Sequence, residues 1–145
     1  MSAFDSPDLT IPEIIIKPAV SDSGRRLRLT ILYHPDAERI GEVADLPQLH
    51  RGEVVKLGRA DTGFQSLRPG SKARPLEDPY LSRSPIKLKR NRVGCDIRLP
   101  AKGSSLQLHG EAVRDSCQLT PQQLESGQVL VLARRLVLML HYYQP

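Results

Sequence analysis

Tryptophan is absent from the 145 residues, and aromatic residues make up only 4% of them. A hydrophobic core has to be built from leucine, valine and isoleucine instead. Cysteine occurs twice, as Cys95 and Cys117, with neither CxxC spacing nor a neighbouring histidine pair. That pattern speaks against a metal site; the two could pair with each other, but a reduced, cytoplasmic protein is the simpler reading. No long apolar run is present. The most apolar stretch, residues 129–140, is interrupted by Arg134-Arg135 and is too short to span a bilayer. The N-terminus, MSAFDSPDLTIPEIIIKPAV, lacks the basic start and apolar centre of a signal peptide.

Catalytic signatures are equally scarce. There is no glycine-rich phosphate loop and no GxSxG elbow. His34, His50, His109 and His141 are isolated from one another, and a structural or solvent-facing role is expected for each. Glu77-Asp78 precedes a proline and reads as a solvated turn, not as an acid/base couple. No enzyme, cofactor or metal site is expected.

What the chain does have is punctuation. Twelve prolines and ten glycines in this length imply many turns between short strands. Residues 1–24, broken by Pro7, Pro12 and Pro18, read as an N-terminal arm, with Ile14-Ile15-Ile16 available as an edge strand. Residues 25–145 read as a single domain. RLRLTILY alternates apolar and polar residues with period two, the signature of a half-buried strand. After the turn His34-Pro35-Asp36, residues 39–46 read as a return strand and residues 52–57 as a third. A long polar connection covers residues 60–79. Strands over 84–89 and 93–99 follow, then a hairpin turning at His109-Gly110. Thr120-Pro121-Gln122-Gln123 is a capping box that opens one helical turn, which Gly127 stops. VLVLA and LVLML form two apolar strands joined by a tight turn at Arg134-Arg135. Ten to eleven short strands with at most one helical turn predict an all-β antiparallel sandwich.

The net charge is 21 − 16 = +5. It favours acidic partners without singling out nucleic acid. Lys87, Lys89, Arg90 and Arg92 form the densest basic run, but few aromatics and no nucleic-acid motif accompany them, so direct nucleic-acid binding is not expected.

The order of motifs resembles a forkhead-associated (FHA) domain over about residues 27–142. VVKLGRA supplies the family's strand ending in Gly-Arg, here Gly58-Arg59. LSRSPIKL supplies the Ser-Arg loop opening the next strand, here Ser82-Arg83. KGSSLQLHGEAV is the weaker third element, with Ser104 near the family's loop asparagine. LESGQVLVLARRLVLML matches the terminal strands. The tail is similar to the FHA-like domain at the N-terminus of bacterial sigma-54-dependent transcriptional regulators, where an AAA+ ATPase and a helix-turn-helix follow. The resemblance implies a SMAD/FHA-like sandwich that reads phosphothreonine peptides and couples signalling to transcription. Arg59, Ser82, Arg83 and Ser104 are then the phosphopeptide-binding residues. The implied partners are a phosphothreonine-containing protein, the chain's own AAA+ domain in a longer protein, or a second copy, and no membrane.

The chemistry behind that assignment is simple. A phosphothreonine carries close to two negative charges and three strong acceptor oxygens. A planar guanidinium fork, a hydroxyl and backbone N–H groups answer it. The same residues also fit a structural role: Ser82 bonding its own turn, and Arg59 solvated at a strand end. Two departures from the family bear on peptide selection. Pro85 stands where a bracing histidine belongs, and Ser104 where an asparagine does. An FHA-like interaction or oligomerisation domain independent of phosphate is the alternative.

Overall fold

In a computed structural model the structure describes residues 25–92, 94–102 and 105–143. The arm, Ile14-Ile15-Ile16 and Ser104 lie outside the described residues. Ten strands form two antiparallel sheets, an all-β sandwich. The strands are β1 (Arg26–Tyr33), β2 (Val43–Asp45), β3 (Val54–Leu57), β4 (Ile86–Arg90), β5 (Cys95–Arg98), β6 (Leu106–Leu108), β7 (Glu111–Ala112), β8 (Ser116–Leu119), β9 (Gln128–Leu132) and β10 (Leu136–Tyr143). One sheet runs β2-β1-β10-β9-β6-β7 and the other β3-β4-β5-β8.

The alternation read in the sequence is what builds the layers. Leu27, Leu29 and Ile31 of β1 are buried, as are Leu136, Leu138 and Leu140 of β10, to which β1 pairs. Val55, Leu57, Ile86, Leu88 and Ile97 face them from the second sheet and complete one core. Phe64 is the only aromatic residue in the buried cluster among the described residues, so the core is aliphatic as the composition requires.

Helix is slightly more abundant than expected. Besides α2 (Pro121–Ser126), which carries both halves of the capping box, there is α1 (Pro47–His50) and a 3-10 turn over Ala37–Arg39. The 3-10 turn shortens the anticipated return strand to β2. Asp36 caps it by accepting from Glu38 N–H at 3.1 Å, and Gly41 leaves it with φ at +95°. Strand β8 was not anticipated: SCQL does alternate, with Ser116 and Gln118 exposed and Leu119 buried, but over only four residues. A tight turn does form there, but one residue earlier than expected: Ala133 and Arg134 are at positive φ (53° and 57°), and Arg135 N–H donates to Leu132 O at 2.9 Å to close it.

Candidate functional site

The connection between β3 and β4 holds every described candidate residue. Its first part leaves β3 through Gly58, which is buried; a Cβ there would lie 2.7 Å from Asp61 Oδ2 and 3.3 Å from Pro85 Cβ. Strand exit, Asp61 carboxylate and strand entry at Pro85 thus meet at one point.

Arg59 follows and reaches across the connection. Its Nη2 donates to Leu81 O at 2.7 Å and to Pro79 O at 3.0 Å, and its Nε donates to Leu81 O at 3.2 Å. Its own carbonyl accepts from Glu77 N–H at 3.0 Å. The Nε–Nη2 edge is therefore engaged with the loop. Nη1 has no partner among the described residues and is the donor left for a ligand.

Ser82 sits one residue beyond that carbonyl. Its Oγ accepts from Ser84 N–H at 3.1 Å, the serine turn that was the structural reading of this residue. Ser82, Ser84, Ser105 and Ala133 line one crevice with Leu57, Gly58, Leu81, Ile86 and Leu132. The crevice holds about 10 Å³, the limit for one water, so a phosphate would rest on its rim and not enter it. Arg83 is exposed, as are Ser84, Arg134 and Tyr80, the last at 68%.

What fixes this loop was not foreseen from the sequence. Arg39 is 1% exposed and donates from all three nitrogens: to Glu42 Oε1 at 2.7 Å, Pro75 O at 2.7 Å, Leu76 O at 3.2 Å and Arg74 O at 3.0 Å. His34, also buried, accepts from Asp36 N–H at Nδ1 (2.9 Å), so its Nε2 carries the proton and donates to Leu76 O at 3.0 Å. Asp78 corrects the expectation of a solvated turn. It is 3% exposed, accepts from Tyr80 N–H at 2.8 Å, and pairs with Arg135 Nε at 3.2 Å. Arg135 in turn lies 4.3 Å over the Tyr80 ring. Glu77, beside it, is solvated as expected. Runs of Pro, Glu and Asp carry no periodicity, so nothing in the sequence separates a buried aspartate from an exposed one. The tight Arg134-Arg135 turn was the one available signal, since it had to point its guanidinium groups somewhere.

Among the described residues no group of three or more His, Cys, Asp or Glu could hold a metal ion, and no helix is long and apolar enough to cross a membrane. Cys95 is fully buried, and burial pushes its thiol up to about 12. Neither a protein-family model nor a curated protein matches the sequence.

Proposed function

We propose that this chain is a phosphothreonine-peptide-binding module of the forkhead-associated kind, acting as the regulatory N-terminal domain of a bacterial sigma-54-dependent transcriptional regulator. The observation that supports this reading is the contact of Arg59 with Leu81 O, 22 residues away, which joins the Gly58-Arg59 and Ser82-Arg83 elements at one end of the sandwich. A phosphate on the rim between them meets Arg59 Nη1, the Arg83 guanidinium and the Ser82 hydroxyl. Each charge-assisted bond is worth about 1.5–3 kcal/mol. A loop already held by Arg39, His34 and Arg135 keeps those donors in place before the ligand arrives.

A second reading, a protein-interaction domain that does not need phosphate, has its own support. Two of the three Arg59 nitrogens serve the loop, and the Asp61 carboxylate beside Gly58 repels an incoming phosphate. Calorimetric titration separates the two. A degenerate phosphothreonine peptide pool should release heat with the wild type and its unphosphorylated twin should not. Arg83→Ala should weaken binding about tenfold, the loss of one charge-assisted contact. Arg59→Ala should abolish it, while Arg59→Lys, which keeps the charge but not the fork, should recover little. Equal heats from both pools would sink the phosphate reading in favour of the second.

A further inference from the structure

The outer face of the sheet β3-β4-β5-β8 is registered in rungs. One rung runs Val54, Lys89, Asp96, Gln118, and pairs its cation with an acid directly opposite. The next runs Lys56, Lys87, Arg98, Ser116, and places three cations side by side on three adjacent strands. All three are exposed, and none has a carboxylate partner among the described residues. Directly opposed residues stand roughly 4.5–5.5 Å apart, and like charges at that distance weaken a sheet. A sequence that balances one rung and leaves its neighbour at three positive charges is accepting that cost for a reason outside the fold.

A second feature adjoins the row. Lys87 and Arg98 also border a surface depression of about 310 Å³ whose other walls are Ser84, Pro85, Leu99 and Pro100. Apolar walls beside a cationic row describe a ligand with carboxylates and an apolar side chain together. A nucleic acid fits less well. The face carries no aromatic ring on which a base could stack, and Asp96 interrupts the positive field.

We infer that this face binds an acidic segment of a partner protein, with carboxylates on Lys56, Lys87 and Arg98 and an apolar side chain in the depression. The depression shares Ser84 with the crevice beside Arg59, but the cationic row lies on the strands of the sheet, and its use does not depend on phosphate reading. Charge complementarity of this kind sets partner choice and association rate, and is salt-sensitive.

The test is fluorescence anisotropy with a labelled peptide of Glu-Asp-Leu repeated four times, beside its Gln-Asn-Leu twin and a labelled DNA duplex. The acidic peptide should bind the wild type and weaken steeply with salt, and the amide twin should not bind. The triple variant Lys56→Gln, Lys87→Gln, Arg98→Gln should lose at least tenfold. Lys87→Gln alone, at the centre of the row, should lose at least threefold, which keeps the test open if the triple variant folds poorly. Lys89→Gln removes the same charge from the balanced rung and should stay within twofold of wild type. Three results overturn the inference: equal binding of the two peptides, a Lys87→Gln variant that binds like wild type, or tighter binding of the duplex than of the acidic peptide.

Discussion

At the residue scale, position in the sandwich decides what a titratable group can do. Cys95 lies at the start of β5 with its side chain in the core, opposite Leu119. Burial disfavours its thiolate, which raises the thiol from an ordinary 9.0 to about 12; the nearby Asp96 charge pushes the same way, while a backbone hydrogen bond at Lys89 opposes. Cys117 on β8 is raised for the same leading reason, desolvation. The sign for stability follows directly. Below pH 9 the thiol is protonated folded and unfolded, and pH changes nothing. Above it, the unfolded chain releases a proton that the folded chain retains, so stability falls as pH rises toward 12. One group of this kind contributes a slope of about 1.4 kcal/mol per pH unit. Urea denaturation of wild type and Cys95→Ala between pH 9 and 11 should differ in slope by that amount, with the variant flatter. Parallel slopes would mean that the Cys95 thiol ionises as readily inside the fold as outside.

At the element scale, the strands that were legible are those whose neighbours lie on two unlike faces. RLRLTILY, VVKL and IKLKR each have one face in the core and one in water, and the alternation records it. The apolar runs of β9 and β10 were legible for a different reason. They lie next to each other inside the larger sheet and form one hairpin. Where the chain turns on hydrogen bonds instead of burial, the sequence says less. Strand β8, an edge of its sheet, and α1, which starts without a side-chain cap, are each four residues long, so the alternation of one and the leading proline of the other are short signals. The candidate site was half legible for the same reason. Gly58-Arg59 and Ser82-Arg83 are motifs, but the partners of Arg59 are backbone carbonyls, which every residue has. Helix α2 is the opposite case. Thr120 Oγ1 accepts from Gln123 N–H at 3.2 Å and Gln123 Oε1 accepts from Thr120 N–H at 2.8 Å, as the capping box dictates. The cap orients Leu124 into the core and delivers the chain to β9. Thr120→Ala should cost about 1 kcal/mol and Thr120→Ser far less, measured as urea midpoints at unchanged slope. An alanine variant as stable as wild type would mean that Leu124 alone holds the helix.

At the scale of the whole molecule, the most unusual piece is the 28-residue connection between β3, ending at Leu57, and β4, starting at Ile86 (85 − 57 = 28). Connections of this length are uncommon and are usually either functional loops or disordered linkers. This one divides. Residues 67–70 are exposed throughout, whereas Leu76 and Asp78 are as buried as the core. The second part is held from both sheets at once: by His34 and Arg39 after β1, by Arg59 after β3, and by Arg135 before β10. Such a segment opens with the fold and not before it. Hydrogen exchange should therefore find the amides of Glu77, Tyr80 and Leu81, bonded to Arg59 O, Asp78 Oδ1 and Asp78 O, protected like the strands, and those of Leu67 and Gly70 unprotected. Arg39→Leu strips Glu42 of its buried partner and takes a donor from the carbonyls of Arg74, Pro75 and Leu76, of which Arg74 O and Leu76 O keep Phe64 N–H and His34 Nε2, at a cost of about 3–5 kcal/mol. In that variant residues 74–81 should lose more protection than Leu138 in β10. The excess is the local hold that Arg39 exerts on the loop presenting Ser82 and Arg83. If the segment and the strand lose protection equally, Arg39 stabilises the sandwich as a whole, and the rigidity of the candidate site has to come from Arg59 and Arg135 alone.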